Sequence, residues 1–376
     1  MPTPLAWRNV THKKVRTAAA LTGVCFAIVL MFMQLGFYDV VFRASIMLLD
    51  QFAFDLVLVS PQYVHLRASG SIPRARLFQA RALPGVASAS PLYVANGAWR
   101  NAATGARREL PMLGVDPDEP AFALPALVKE APRLHELDTA LMDVHAQKRY
   151  GPIHEGLVSE LENRRVKVVG TYAYGSGFMA DASVIVSDRT LLRLAHDASR
   201  ENVSLGLVRV LPGTPVKDVM AALQQHLPAD VKVWRRRDLE ANEQKFFVQI
   251  KPIGLMFFSG VLLAFGVGGI ILYQILSAEV TNHLKEFATL MAMGYKERFL
   301  VLVVIQQATL FALLGFAPAV VLALFMYLVI GWVTQLPMVM TVGRFAGVLV
   351  LSVAMCAAAG LIASRKVGRA DPADLF

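Results

Sequence analysis

The stretch Gly170-Thr171-Tyr172-Ala173-Tyr174-Gly175-Ser176 has the glycine spacing of a loop that cradles phosphate, whose chemistry would be nucleotide hydrolysis. It lacks the lysine that reaches the phosphates and lies between two strand-like segments, so it reads as a turn. No other stretch comes closer, and the chain is expected to hydrolyse no nucleotide by itself. Six of the eight histidines, His65, His135, His145, His154, His196 and His226, are scattered without the His-x-x-x-His or cysteine pairing of a zinc site. His154-Glu155 lacks the second histidine of a zinc-hydrolase helix, so no catalytic residue and no metal ligand is assigned. The two cysteines, Cys25 and Cys356, lie in apolar runs, which leaves the large hydrophilic segment without disulfides.

The spacing that does suggest a site is that of a contact surface. In residues 279–298, Val280, Leu284, Phe287 and Met291 fall on one face of a helix, while Asn282, Lys285, Glu286 and Thr289 fall largely on the others. Gly294 is placed to end that helix. A short amphipathic helix held between two spans can present itself to a cytoplasmic partner and be pushed by it.

The elements that position it are membrane spans. With 55% hydrophobic and 17% charged residues the composition is that of a membrane protein. The net charge of +9 comes from basic residues beside the apolar runs and spread through the middle. No basic stretch is interleaved with aromatics, which argues against nucleic acid. Four uncharged runs, Ala18–Tyr38, Ile253–Ala278, Phe299–Trp332 and Phe345–Ala363, are long enough to span. The first is too long for a signal peptide and has no cleavage site, so it reads as a retained anchor. Arg8, Lys13, Lys14 and Arg16, then Lys285, Lys296 and Arg298, then Arg365, Lys366 and Arg369 share one side, which puts both termini in the cytoplasm and the large domain outside. The domains expected are a cytoplasmic interfacial segment 1–16, spans 17–38, 253–278, 299–332 and 345–363, an outer domain 39–252, a cytoplasmic helix 279–298 and a tail 364–376. Runs without Asp, Glu, Lys or Arg argue against ion-coupled transport. Gln34, Gln274, Gln306 and Gln307 are their strongest polar groups. Small residues at four-residue spacing, Gly260, Ala264 and Gly268, and Ser352, Cys356, Gly360 and Ser364, would let helices pack closely, within the chain or across a dimer.

The outer segment reads as α+β. Strand, helix and strand patterns at 55–59, 73–83, 86–94 and 109–115 are matched by 205–211, 215–227 and 231–234. Between them lie strands at 166–169 and 183–186. The simplest arrangement is a two-part lobe, about 53–136 and 203–236, with an inserted lobe, about 137–202. Val40, Val41, Ile46, Met47, Leu49 and Phe52 extend the first span, and Leu239, Phe246, Phe247 and Ile250 precede the second, as stalks or as interfacial helices.

Leu5-Ala6-Trp7-Arg8-Asn9-Val10-Thr11, Phe32-Met33-Gln34-Leu35-Gly36-Phe37 and Leu284-Lys285-Glu286-Phe287-Ala288-Thr289-Leu290-Met291-Ala292-Met293-Gly294-Tyr295 resemble the DevC family, permease subunits of ABC exporters of the MacB and FtsX type. Leu83-Pro84-Gly85-Val86, Gly114-Val115-Asp116-Pro117-Asp118-Glu119-Pro120 and Ala370-Asp371-Pro372-Ala373-Asp374 extend the resemblance over nearly the whole chain. The resemblance implies that residues 279–298 hold the coupling helix seated on an ABC ATPase, with Glu279, Thr281, His283, Leu284, Glu286, Phe287, Met291 and Gly294 as its contacts. His283 stands where many relatives carry arginine. It also implies porter and Sabre lobes outside, no cofactor in this chain, ATP and magnesium in the partner ATPase, a second permease chain, a periplasmic adaptor of membrane-fusion type and a TolC-like outer-membrane channel. Glycolipid or another amphiphile is the cargo class implied, in a bacterial inner membrane. Rival readings are a lipoprotein-releasing permease, an FtsX-like regulator of a cell-wall hydrolase and a ligand sensor.

Overall fold

A computed structural model describes residues 14–119, 121–146, 150–173, 182–195, 198–282, 286, 289–291, 293–334 and 338–365. The chain divides into a membrane unit, Met1–Val40, Gly254–Val333 and Met338–Phe376, and an α+β unit, Val41–Ile253 with Thr334–Pro337. Helix α1 (Lys14–Ile46) carries the first apolar run and continues eight residues past Tyr38, as the apolar Val40, Val41 and Ile46 anticipate.

The α+β unit follows as β1 (Leu56–Val59), β2 (Ile72–Pro73), α2 (Ala75–Arg81), β3 (Val86–Arg100), β4 (Arg107–Val115), α3 (Pro125–Glu130), β5 (Thr139–Asp143), β6 (Val158–Leu161), β7 (Arg164–Tyr172), β8 (Val184–Ser187), α4 (Asp188–Leu194), β9 (Asn202–Val203), β10 (Leu205–Val210), α5 (Val216–His226), β11 (Lys232–Arg235) and α6 (Arg236–Lys245). Among the described residues nine strands form one sheet in the order β11-β1-β10-β3-β4-β8-β5-β7-β6, and β6 pairs back onto β3. Strand β3 is the pivot. At roughly 3.3 Å per residue it runs about 50 Å, and Leu92 pairs with Leu205 of β10 on one side and Val115 of β4 on the other. Before Leu92 the strand belongs to a sheet with β10, β1 and β11. Beyond it, β3 joins β4, β8, β5, β7 and β6 in a ring closed where Trp99 pairs with Leu161.

This ring redraws the expected lobes. The second half of β3 and all of β4, expected in the two-part lobe, are ring strands with the inserted β5, β6, β7 and β8. The reason is length, since β3 and β4 outrun the three strands of the first sheet and their free edges are satisfied only by the insertion. Trp99 is 1% exposed and donates Nε1–H to the Tyr150 carbonyl at 3.2 Å. Gly97 leaves room for Met112 and Leu161: a Cβ there would lie 2.5 Å from Met112 Sδ and 3.0 Å from Leu161 Cδ1. The β6–β7 hairpin turns on Glu162 and Asn163, both at positive φ (51° and 63°), as a two-residue turn matched to strand twist requires. Glu162 then pins the closure, its carboxylate accepting the Ala98 N–H at 2.6 Å and its own N–H reaching Ala98 O at 3.1 Å.

The other end of the sheet is β11. Its pairing with β1 is fixed by the Arg236 N–H on Asp55 O at 3.1 Å, so alternation aims the backbone groups of Val233 and Arg235 away from β1. The Arg235 N–H donates to Asp238 Oδ2 at 3.3 Å, and the Val231 N–H to Pro228 O at 3.3 Å. After α6 comes a π-helical turn, Phe246–Ile250, and Lys251 is extended. The expected continuous approach to the second span is therefore broken, because Pro252 disfavours helix at the residue before it.

Three helices complete the membrane unit: α7 (Ile253–Asn282), α8 (Glu297–Thr334) and α9 (Val342–Ser364). With α1 they are the four helices long and apolar enough to cross a membrane among the described residues. Ala20, Val24, Ile28 and Phe32 of α1 pack with Ala264 and Leu272 of α7, Phe311 and Phe316 of α8, and Val348 and Met355 of α9. Large apolar side chains such as Leu263, Leu328 and Val350 point outward, as lipid rather than water demands. Helix α8 has 38 residues and runs through Pro318. At 1.5 Å per residue it is about 57 Å long, well beyond a hydrocarbon core of roughly 30 Å.

Trp99→Ala is expected to cost the α+β unit about 3–5 kcal/mol by opening a cavity at the ring closure. Thermal unfolding followed by near-ultraviolet circular dichroism should fall to lower temperature, with the far-ultraviolet helical signal of the spans retained.

Candidate functional site

The link between α7 and α8 is the candidate contact surface. Its roots are fastened within the chain, where Val280, Leu300 and Val304, each at most 3% exposed, form a small core with Leu290, Met291 and Phe299 packed against it. Gly294 lies at φ +94°, the left-handed region where a side chain is strained. Its N–H donates to Met291 O at 2.9 Å and the Tyr295 N–H to Leu290 O at 3.1 Å. These are the two hydrogen bonds of a Schellman cap, so the glycine ends the helix as its position predicts. Tyr295 then packs on Phe299 at 5.0 Å.

The expected contact residues divide between surface and interior. Thr281, Glu286 and Gly294 are exposed, and Glu279 is half-buried. Thr281 Oγ1 donates to Ser277 O at 2.8 Å, so its hydroxyl serves its own helix. Met291 is half-buried against the internal core. His283, Leu284 and Phe287 lie outside the described residues. Two apolar side chains that sequence reasoning left off the site stand out at the cap, Met293 at 63% and Tyr295 at 48% exposure. The signal available was their apolar character on either side of Gly294, the residue placed to end the helix.

The small residues expected at helix contacts sit against other helices of the same chain. A Cβ on Gly260 would meet Gln34 of α1 at 2.4 Å, and one on Gly268 would meet Ala27 of α1 at 2.5 Å and Met355 of α9 at 2.6 Å. A Cβ on Gly360 would reach Ala308 of α8 at 3.0 Å. Ala264, Ser352, Cys356 and Ser364 are buried as well, with Ser352 Oγ donating to Val348 O at 2.6 Å. Of the four glutamines, Gln307 is buried and Gln274 is exposed.

A charged pair is the feature that run boundaries concealed. Asp39 and Arg344 flank the first and fourth runs in the sequence, but both fall inside the helices. Arg344 Nη2 lies 2.7 Å from Asp39 Oδ2, with the arginine side chain only 6% exposed. Its Nη1 donates to Val339 O at 2.8 Å and to the Tyr327 hydroxyl at 3.2 Å. Tyr327 in turn donates to the Phe32 carbonyl beside Gly36, where a Cβ would strike the Tyr327 oxygen at 2.5 Å. One guanidinium therefore ties α1, α8 and α9 together.

The remaining sequence candidates stay apart. Gly170 belongs to β7, and residues 174–181 of its loop lie outside the described residues. His135 approaches Asp118 at 3.5 Å and His145 approaches Asp143 at 3.2 Å. Among the described residues no three His, Cys, Asp or Glu side chains gather as metal ligands would.

Residues 242–372, which hold α7, the capped link, α8 and α9, match the family model described as FtsX-like permease C-terminal. Over those residues the chain is similar to an FtsX-like permease domain. No curated protein matches the chain in sequence. Similar solved structures include the periplasmic region of MacB from Actinobacillus actinomycetemcomitans, with 8% identity over 52% of this chain and 94% of that one, at a TM-score of 0.36. Another is the extracellular domain of the noncanonic ABC-type transporter YknZ from Gram-positive bacteria, with 13% identity over 48% of this chain and 98% of that one, at a TM-score of 0.33.

Asp39 supplies the carboxylate at the Arg344 guanidinium, so Asp39→Asn should leave a largely buried cation unmatched. The expected loss is about 3 kcal/mol, read as a lower unfolding temperature in detergent, and the swap Asp39→Arg with Arg344→Asp should recover part of it. Gly294→Val should cost on the order of 1–2 kcal/mol locally, seen as faster hydrogen exchange at the Tyr295 amide.

Proposed function

We propose that this chain is a non-catalytic permease subunit of an ABC exporter, passing ATP-driven motion from a separate cytoplasmic ATPase to its α+β unit on the far side of a bacterial inner membrane. The observation that carries this reading is the link between α7 and α8. It lies within the FtsX-like permease domain, is seated on an internal core and shut by a Schellman cap, and offers Met293 and Tyr295 to solvent. An apolar pair on a rigid base is what a partner needs in order to push, because force delivered there passes into two spans at once. Basic residues beside the link support placing it in the cytoplasm with both termini. The charged residues of the four helices stand in their end turns, apart from Asp39, which is matched by Arg344; this suits a mechanical role better than an ion pathway. The same reading assigns the ATP and magnesium to the ATPase, pairs the chain with a second permease subunit, and sends a glycolipid or other amphiphile through a periplasmic adaptor and a TolC-like channel.

The test is a pull-down from detergent-solubilised membranes with wild type, Phe287→Asp and the double change Met293→Asp, Tyr295→Asp. An ABC ATPase should accompany the wild type and be lost, at least ten-fold, with either variant while insertion is unchanged. If the intact wild-type chain brings down no ATPase, the exporter reading fails. A co-purified adaptor would identify the export route, whereas a co-purified cell-wall hydrolase would point to a regulator instead.

A further inference from the structure

Helix α6, the last helix before the chain turns into α7, buries a carboxyl group beneath the segment 60–68. Glu243 is 0% exposed. The Tyr63 hydroxyl donates to its Oε1 at 2.7 Å and the Leu66 N–H donates to the same carboxyl. Oε2 has no hydrogen-bond partner. Around this acid the segment is fastened to the helix by Asn242 Nδ2, which donates to Val64 O at 2.8 Å, and by His65, whose ring stacks on Phe246 at 4.1 Å. Tyr63 also meets Trp234 edge-on at 5.5 Å.

A buried carboxylate needs a cation or a full set of donors. Glu243 has two donors and, among the described residues, no cation beside it. Arg236 on the same helix is engaged by Glu240 at 2.7 Å and by Asp50 at 2.8 Å. Arg67 donates to Asn96 Oδ1 at 2.7 Å, and Lys251 acts on His65. We propose that Glu243 is a proton-binding site that holds residues 60–68 closed on α6 when occupied and releases them when empty.

The charges nearby suit that role. Burial lifts the Glu243 carboxyl to about 7, outweighing the pull of its two hydrogen bonds. The Tyr63 phenol is pushed well above its ordinary value by burial and by Glu243, so it remains a donor. His65 is held below its ordinary value by burial, with Arg67 and Lys251 adding to the effect. A raised carboxyl favours the closed form at low pH. That advantage shrinks as pH rises above the range of a solvated carboxylate and is gone once pH passes the buried value.

The experiment is hydrogen exchange of the full chain in detergent between pH 5.5 and 8.5, corrected for intrinsic exchange and read on peptides covering residues 60–68. Protection of the wild type should fall roughly ten-fold or more as pH passes from 6 to 8. Glu243→Gln should stay protected throughout, and Tyr63→Phe, which removes a donor to the carboxylate, should move the midpoint upward. A wild type without the transition overturns the proposal, and so does a Glu243→Gln protein that retains it. Should Glu243→Gln fail to accumulate, an unshifted Tyr63→Phe midpoint overturns it. None of these outcomes depends on an ATPase.

Discussion

The pairing of Trp99 with Leu161 is the contact on which the α+β unit depends. Before it forms, β3 is a long strand with half of one edge bare, and β6 is a four-residue strand with nothing on its outer side. After it forms, six strands satisfy one another in a ring, and the large indole has somewhere to go. The contact is possible because Gly97 has no side chain and because Glu162 can hold a left-handed turn while its carboxylate reaches Ala98. The first sheet needs β3 in place before β10, β1 and β11 can be laid beside it. The ring and the first sheet are thus one structure, which is why a single hydrophobic core runs from Leu56 and Leu223 through to Val168 and Val184.

The membrane unit solves a different problem with different residues. In lipid, apolar area alone gives helices no reason to prefer one another, so close approach and polar ties must choose the neighbours. Glycines and alanines provide the approach between α1, α7 and α9. The polar tie is Arg344, whose guanidinium takes a carboxylate on α1, a hydroxyl on α8 and a carbonyl just before its own helix. Its charge is matched and three polar contacts hold it, the condition under which such a group can be tolerated in a membrane helix.

The spans were legible in the sequence because uncharged runs of that length have few other uses, and Gly294 was legible because a helix cap leaves a strong local mark. Most strand positions followed from β-branched residues between turns. The extension of β3 to Arg100 was hidden by Asn96-Gly97, a pair that ordinarily marks a hairpin and here sits in mid-strand because Met112 and Leu161 crowd the position. β5 escaped because Thr139–Asp143 is buried throughout and shows no alternation. β6, with Ser159 and Glu160 at its centre, has too little apolar character to announce itself. The Asp39–Arg344 pair could not be found locally at all, since it joins residues more than three hundred positions apart that look like ordinary flanking charges. Glu243 carries no sequence mark either: a glutamate in a polar helix becomes unusual only when Tyr63 and Leu66 close over it.

The outer edge of β11 has a bearing on how the α+β unit survives its own synthesis. At β6 the ring closes on β3 through Leu161, and at β11 the chain's own groups take the amides of Val231 and Arg235, which leaves on the free side the backbone pair of Val233, a residue only 4% exposed. A sheet of nine strands offers its ends as a template for the strands of another copy. Here a neighbouring strand finds a single residue to grip, flanked by Lys232 and Arg235, which repel their counterparts on another copy. Protection from strand addition is therefore built into the last few residues before α6, and it takes effect as soon as the sheet is complete.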